Sequence, residues 1–90
     1  MIKKTSKKEQ LIGEVTHYYG EIKVAVIQLK KPLSVGDTIR ITGGEDTDFT
    51  QEVKSMEVDH EKIKKAKAKK EVGMKVKKKV RDGYKVYKIQ

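Results

Sequence analysis

The longest uninterrupted apolar run in this chain is four residues, Val24-Ala25-Val26-Ile27. A bilayer-crossing helix needs about 20 apolar residues, so no membrane span is expected. The apolar residues come instead in short, β-branched stretches separated by turn signals, a cadence that constrains the fold more than any other feature of the sequence. Leu11 to Tyr19 is rich in Val, Ile, Thr and Tyr, residues that suit a pleated, half-buried surface. Gly20 and Glu21 make a turn, and Ile22 to Leu29 reads as a second strand, apolar enough at its centre to be covered on both faces. The alternation places Val24 and Val26 in the core.

Pro32 ends that strand because it cannot donate to a ladder. Val35-Gly36-Asp37 is a turn, with Gly36 free to take positive φ and Asp37 placed to accept main-chain N–H groups. Thr38 to Thr42 alternates, with Ile39 and Ile41 on one face. Gly43 to Asp48 is a polar loop whose Asp46 and Asp48 read as solvated carboxylates. Phe49 to Asp59 reads as one long strand. Phe49, Gln51 and Val53 share one parity, and Met56 and Val58 the other, which calls for a bulge near Lys54-Ser55.

Residues 61–71 carry alanine and lysine, both good helix formers. Only Ile63 and Ala66 offer an apolar pair, however, so a short strand or loop anchored by those two is expected. Val72, Met74 and Val76 alternate with polar positions, Asp82-Gly83 turns, and Tyr84 to Ile89 closes the chain. Gly73, inside a strand, signals close approach of another backbone. The expected architecture is all-β: a small closed or nearly closed antiparallel barrel of six to seven strands over residues 10–90, preceded by a disordered basic tail, residues 1–9. Buried positions should include Val53, Met56, Val72, Met74 and Val76.

Composition matters mainly through charge. The chain of 90 residues has a formal charge of +9. Residues 1–10 carry four basic groups and one acidic, net +3; residues 11–60 carry five and nine, net −4; residues 61–90 carry thirteen and three, net +10. The last third therefore suggests a polyanionic partner. Two runs supply the charge: Lys62, Lys64, Lys65, Lys67, Lys69 and Lys70, then Lys75, Lys77, Lys78, Lys79 and Arg81. On a strand, Lys75, Lys77 and Lys79 would share the face opposite Met74 and Val76, about 7 Å apart, near the phosphate spacing of extended RNA. Tyr18, Tyr19, Tyr84 and Tyr87 could stack bases, although packing is the commoner role of strand tyrosines. The alternative is a solvated lysine-rich surface.

Catalytic chemistry finds little footing. Cysteine is absent, which excludes disulfides, thiolate nucleophiles and cysteine-based zinc sites. His17 reads as a packed or half-exposed strand residue. Asp59-His60-Glu61 would point to opposite faces of a strand and cannot converge on a metal without a turn. Ser34 and Ser55 have no base nearby in sequence. No cofactor, no metal and no enzymatic activity are expected. The lysine-rich start is not followed by an apolar stretch, so a cytoplasmic location is expected. The absence of asparagine beside abundant Lys and Glu leans toward a thermophilic source.

Three motifs in order resemble domain II of the translational GTPases, a β-barrel. They are Gly13-Glu14-Val15 followed by Lys23-Val24-Ala25-Val26; the segment Pro32 to Ile41, with its Gly36-Asp37 turn; and Val53 to Val58 followed by Ile63, Ala66, Ala68 and Val72 to Val76. Val80-Arg81-Asp82-Gly83 resembles the segment before the last strand. The chain also resembles short elongation-factor-like proteins and the C-terminal barrel of some collagenase-like peptidases. It departs from the pattern where Lys69-Lys70 replaces a Gly-Asp turn and where Gly83 is followed by Tyr84. No phosphate loop of the G-x-x-x-x-G-K-[ST] type is present, so the resemblance carries no nucleotide binding. It implies a non-enzymatic binding module for RNA or a ribosomal surface, without a GTPase domain. The alternative it implies is a protein-interaction accessory that docks on an enzyme such as a collagenase-like peptidase.

Overall fold

The computed structural model describes residues 9–59 and 61–89. Among these residues ten strands follow one another: β1 (Glu9–Tyr19), β2 (Val24–Leu29), β3 (Leu33–Ser34), β4 (Thr38–Gly43), β5 (Thr47–Glu52), β6 (Met56–Val58), β7 (Glu61–Ile63), β8 (Lys65–Ala66), β9 (Glu71–Lys75) and β10 (Lys85–Ile89). Eight of them form one antiparallel sheet in the order β5-β4-β10-β1-β2-β9-β6-β7, and β3 pairs with β8. The fold is all-β, as the strand-length runs imply. Among the described residues no ladder joins β5 to β7, so the sheet is not closed into a barrel by strand pairing.

β1 lies between β10 and β2 and is bent twice. Its register slips between Leu11 and Gly13 against β10, and between Val15 and His17 against β2. The first slip lets Ile12 and Val15, an odd number of residues apart, both reach the core. At the first slip Gly13 runs so close to β2 that a side chain there would enter the Gln28 carbonyl.

The core is filled from both arms of the sheet by Ile12, Ile27, Leu29, Ile39, Ile41, Val53, Met56, Val72 and Val86, all of them fully buried. Every buried side chain among the described residues is apolar. Ile39, Ile41, Val53, Met56, Val72, Met74 and Val76 are buried as the alternation requires. Val24 and Val26 are not: the burial pattern of β2 puts Ala25, Ile27 and Leu29 inside and leaves the valines partly exposed on the opposite face. The register of β1 settles that parity, because Ala25 lies opposite Tyr18, which packs on the core.

Three further expectations are revised. Phe49 to Asp59 is two strands joined by residues 53–55, not one bulged strand: β5 pairs with β4, while β6 pairs with β9 and β7. The phase change marks a change of partner. The close approach belongs to Gly13 rather than Gly73, where an added Cβ would meet Val24 Cγ1 at 3.4 Å and Glu57 O at 4.0 Å, ordinary contacts. β9 ends at Lys75, so Lys77, in a bend, and Lys79, just after it, do not extend a strand-spaced row.

The turn at Ser34 to Asp37 matches its reading. Gly36 has φ +100°, and the Ser34 N–H donates to Asp37 Oδ2 at 2.8 Å. The turn is clamped to Val53, which accepts from the Gly36 N–H and donates to the Asp37 carbonyl, both at 2.8 Å. Residues 61–66 form two short strands with Ala66 buried and Ile63 packed on the core, as expected of the anchored segment. The turn lacking Gly-Asp survives with Lys69 at φ 72°. Its main chain is pinned to β2: the Lys69 N–H donates to Leu29 O, and the Leu29 N–H donates to Lys70 O, both at 2.8 Å. These bonds hold a lysine in the left-handed region that glycine adopts without cost. The basic tail expected over residues 1–9 falls outside the described residues except for Glu9, which opens β1.

Candidate docking face and the basic surface

Residues directly opposite one another on neighbouring strands share a face of the sheet. On the outer face this rule strings together His17, Val26, Gly73, Glu57 and Lys62, a row crossing β1, β2, β9, β6 and β7. A second row beside it is Tyr19, Val24 and Lys75. The His17 and Tyr19 rings touch, with centroids 4.3 Å apart at 59°. Tyr19 is 50% exposed, and Ile22, in the turn between β1 and β2, is 58% exposed. Gly73 contributes no side chain, so the row dips there into a hollow of about 330 Å³ bordered by Val24, Glu57, Lys62 and Lys75. The outer face of β2 thus carries Val24 and Val26 beside Gln28, all three partly exposed.

The eleven basic residues singled out in the sequence are all exposed. Lys62 lies on β7, Lys64 just after it, Lys65 on β8, and Lys67, Lys69 and Lys70 in the turn leading to β9. Lys75 ends β9, Lys77 and Lys78 occupy the following bend with Lys79 just after it, and Arg81 opens the turn before β10. None of them enters an ion pair among the described residues. The structure brings Lys75 and Lys77 together with Lys54 around one groove, and Lys62 with Lys75 around the hollow over Gly73.

In the acidic loop Asp48 is not simply solvated but paired with an arginine. Arg40 on β4 donates from Nε and Nη2 to Asp48, at 2.7 and 2.6 Å, and from Nη1 to both Glu9 oxygens at 2.8 Å. The network ties β1, β4 and β5 across the outer face. Hydrogen bonding from Arg40 lowers the Asp48 carboxyl below its ordinary value of 3.8, and the two carboxylates, Asp48 foremost, hold the guanidinium above its own. A depressed carboxyl contributes stability that is present above its unfolded value and is lost as pH falls through the folded one. Asp48 is therefore expected to titrate below pH 3.8 in an NMR titration of the wild type, and to return toward the ordinary value in Arg40→Gln. An unshifted Asp48 would show that the pair is broken in solution. His60, of the Asp59-His60-Glu61 cluster, lies outside the described residues.

Sequence reasoning missed Lys54 and Gln51, whereas the apolar centre of β2 was read as a strand covered on both faces. The signal for Gln51 was present: it is the polar residue among the core-facing parity of Phe49 and Val53. Its carboxamide spans the open side of the sheet, donating to Lys75 O at 2.8 Å and accepting from the Lys77 N–H at 3.0 Å.

Comparison with known proteins gives this surface its context. Residues 7–84 match the peptidase family U32 C-terminal domain. The chain is 40% identical over 76 residues to an uncharacterised protease of Methanocaldococcus jannaschii, a match covering 84% of this chain. It spans only 19% of that relative's length. Two crystal structures of the C-terminal domain of a Geobacillus thermoleovorans protein described as a U32 peptidase share the fold. One has TM-score 0.81 at 24% identity, covering 86% of this chain and 96% of that one; the other has 0.82 at 23%, covering 88% and 91%. These matches correct the reading of a translation factor that binds RNA or the ribosome. They follow the collagenase-like peptidase branch of the resemblance instead. With 78 of its residues, 7–84, inside the family's bounds, the chain belongs to the peptidase family U32 C-terminal domains.

Proposed function

We propose that this domain is a non-catalytic docking module of the U32 peptidases, seated through the outer face of β1, β2 and β9 on the protein body that carries the chemistry. The observation that carries the reading is the family match, to a domain that is one part of a larger protein: the chain spans 19% of its protease relative. The outer face supplies a means. Tyr19, Ile22, Val24 and Val26 form an apolar surface beside the hollow over Gly73, and exposed apolar patches of this kind mark interaction sites. An aromatic centre with a charged rim, here Glu57, Lys62 and Lys75, is the usual composition of a protein interface.

Mixing this chain with the part of the Methanocaldococcus jannaschii protease outside the 76 matched residues tests the reading. A complex is expected that persists in high salt, because apolar contact is not screened. Tyr19→Ala combined with Val26→Lys is expected to abolish it while the isolated chain still unfolds cooperatively. A complex that dissolves in salt, or that ignores the double substitution, rejects the face. Cleavage of a protein substrate by the isolated chain rejects the non-catalytic role.

A further inference from the structure

The side of the sheet spanned by Gln51 is a groove of about 480 Å³ between residues 51–55 and the end of β9. Its floor is apolar: Val53, Met74 and Val76, each under 5% exposed. Its rim is basic: Lys54, Lys75 and Lys77 are exposed, and none pairs with a carboxylate among the described residues. Glu52 is the one acidic residue lining it.

The main chain of both walls is available. Lys54 and Ser55 lie between β5 and β6, outside every ladder, and no main-chain hydrogen bond reaches them among the described residues. Across the groove, the Gln51 carboxamide bonds the Lys75 carbonyl and the Lys77 N–H. A primary amide offers one acceptor and a donor group much as a peptide unit does. Gln51 therefore occupies the place that one residue of an added strand would fill.

We propose that this groove binds an extended acidic peptide segment as an added β-strand. Main-chain pairing to residues 54–55 and 75–77 supplies the attachment, with the peptide backbone taking over the hydrogen bonds of Gln51. Successive side chains of a strand point to opposite faces. One set descends onto Val53, Met74 and Val76, and the other rises to Lys54, Lys75 and Lys77. The first set is apolar and the second carboxylate. A basic segment is disfavoured by the three unpaired ammonium groups. A small anion would leave the apolar floor and the free main-chain groups of the walls unused. The groove shares Lys75 with the rim of the docking face, whose residues Tyr19 and Val26 lie outside it.

The test is an NMR titration of the 90-residue chain with an acetylated, amidated heptapeptide alternating glutamate and valine. Shifts are expected at the amides of 51–55 and 75–77, with Lys54 and Ser55 gaining protection from solvent exchange. The same peptide with lysine for glutamate is expected not to bind. The variant Lys54→Glu with Lys75→Glu and Lys77→Glu is expected to weaken binding by about tenfold or more, because it reverses the field at the rim. N-methylation of alternate peptide amides removes donors without changing charge or touching the domain's fold, and is expected to abolish binding. No shifts at millimolar peptide, an equal response to the lysine peptide, or undiminished binding of the methylated peptide overturns the proposal. So do shifts centred on His17, Tyr19 and Val26, which would assign the peptide to the docking face instead.

Discussion

Gly13→Ala is expected to leave little folded protein. The new methyl group would be driven into the Gln28 carbonyl and against Ile27 Cγ2, and a carbonyl held in the β1–β2 ladder has no rotamer by which to withdraw. Relief requires moving β2 as a whole, so the cost should reach at least the upper end of overpacking penalties, about 3 kcal/mol. That is a large share of the stability of a domain this size, about 5–13 kcal/mol. Gly73→Ala is the control. It is also a strand glycine, but its Cβ meets only Val24 Cγ1 and Glu57 O at contact distance. Alanine there should be neutral or gain up to about 1 kcal/mol by restricting the unfolded chain. Urea denaturation of both variants checks the pair. Equal stabilities would mean that β1 and β2 are not held as closely as the Gly13–Gln28 pairing requires.

A second large effect is expected inside β2. Ile27→Ala removes three carbons from a fully buried position and should cost about 3 kcal/mol, lowering the unfolding midpoint by roughly 12–24 °C. Val26→Ala, one residue away on the partly exposed face, should cost less than about 1 kcal/mol. Calorimetry of the two variants decides the parity of the strand, and the reverse order of midpoints would exchange its core and outer faces.

That parity is where the sequence stops being legible. In Val24-Ala25-Val26-Ile27 every residue is apolar, so no contrast of period two distinguishes the faces. Only the register against β1, itself shifted between Val15 and His17, decides which residues turn inward. Where polar residues alternate, as from Thr38 to Thr42 or from Glu71 to Lys75, the buried set follows directly. The Ser34 to Asp37 turn was equally readable, because Gly36 and Asp37 each have a local physical task. The phase change after Val53 was visible but ambiguous: a bulge and a change of pairing partner leave the same trace in a sequence. The candidate face was harder to see. Tyr19 and His17 meet Val24 and Val26 only across a ladder, and a row of cross-strand neighbours has no signature along one strand. Lysines gave the opposite difficulty. They are conspicuous in composition, but an ammonium group satisfied by water needs no partner and so predicts none.

The wholly apolar interior has a further consequence for how such a domain can change allegiance. Because no buried side chain among the described residues is polar or charged, no ionisation or ion pairing inside the molecule depends on what its exterior carries. Lysines such as Lys54, Lys62, Lys75 and Lys77 can be exchanged for neutral or acidic residues without asking anything of Ile27, Ile41 or Met56. Interior and exterior are free to drift separately, and a copy of this scaffold could acquire a partner of opposite charge by a few surface substitutions while its folding remained the same.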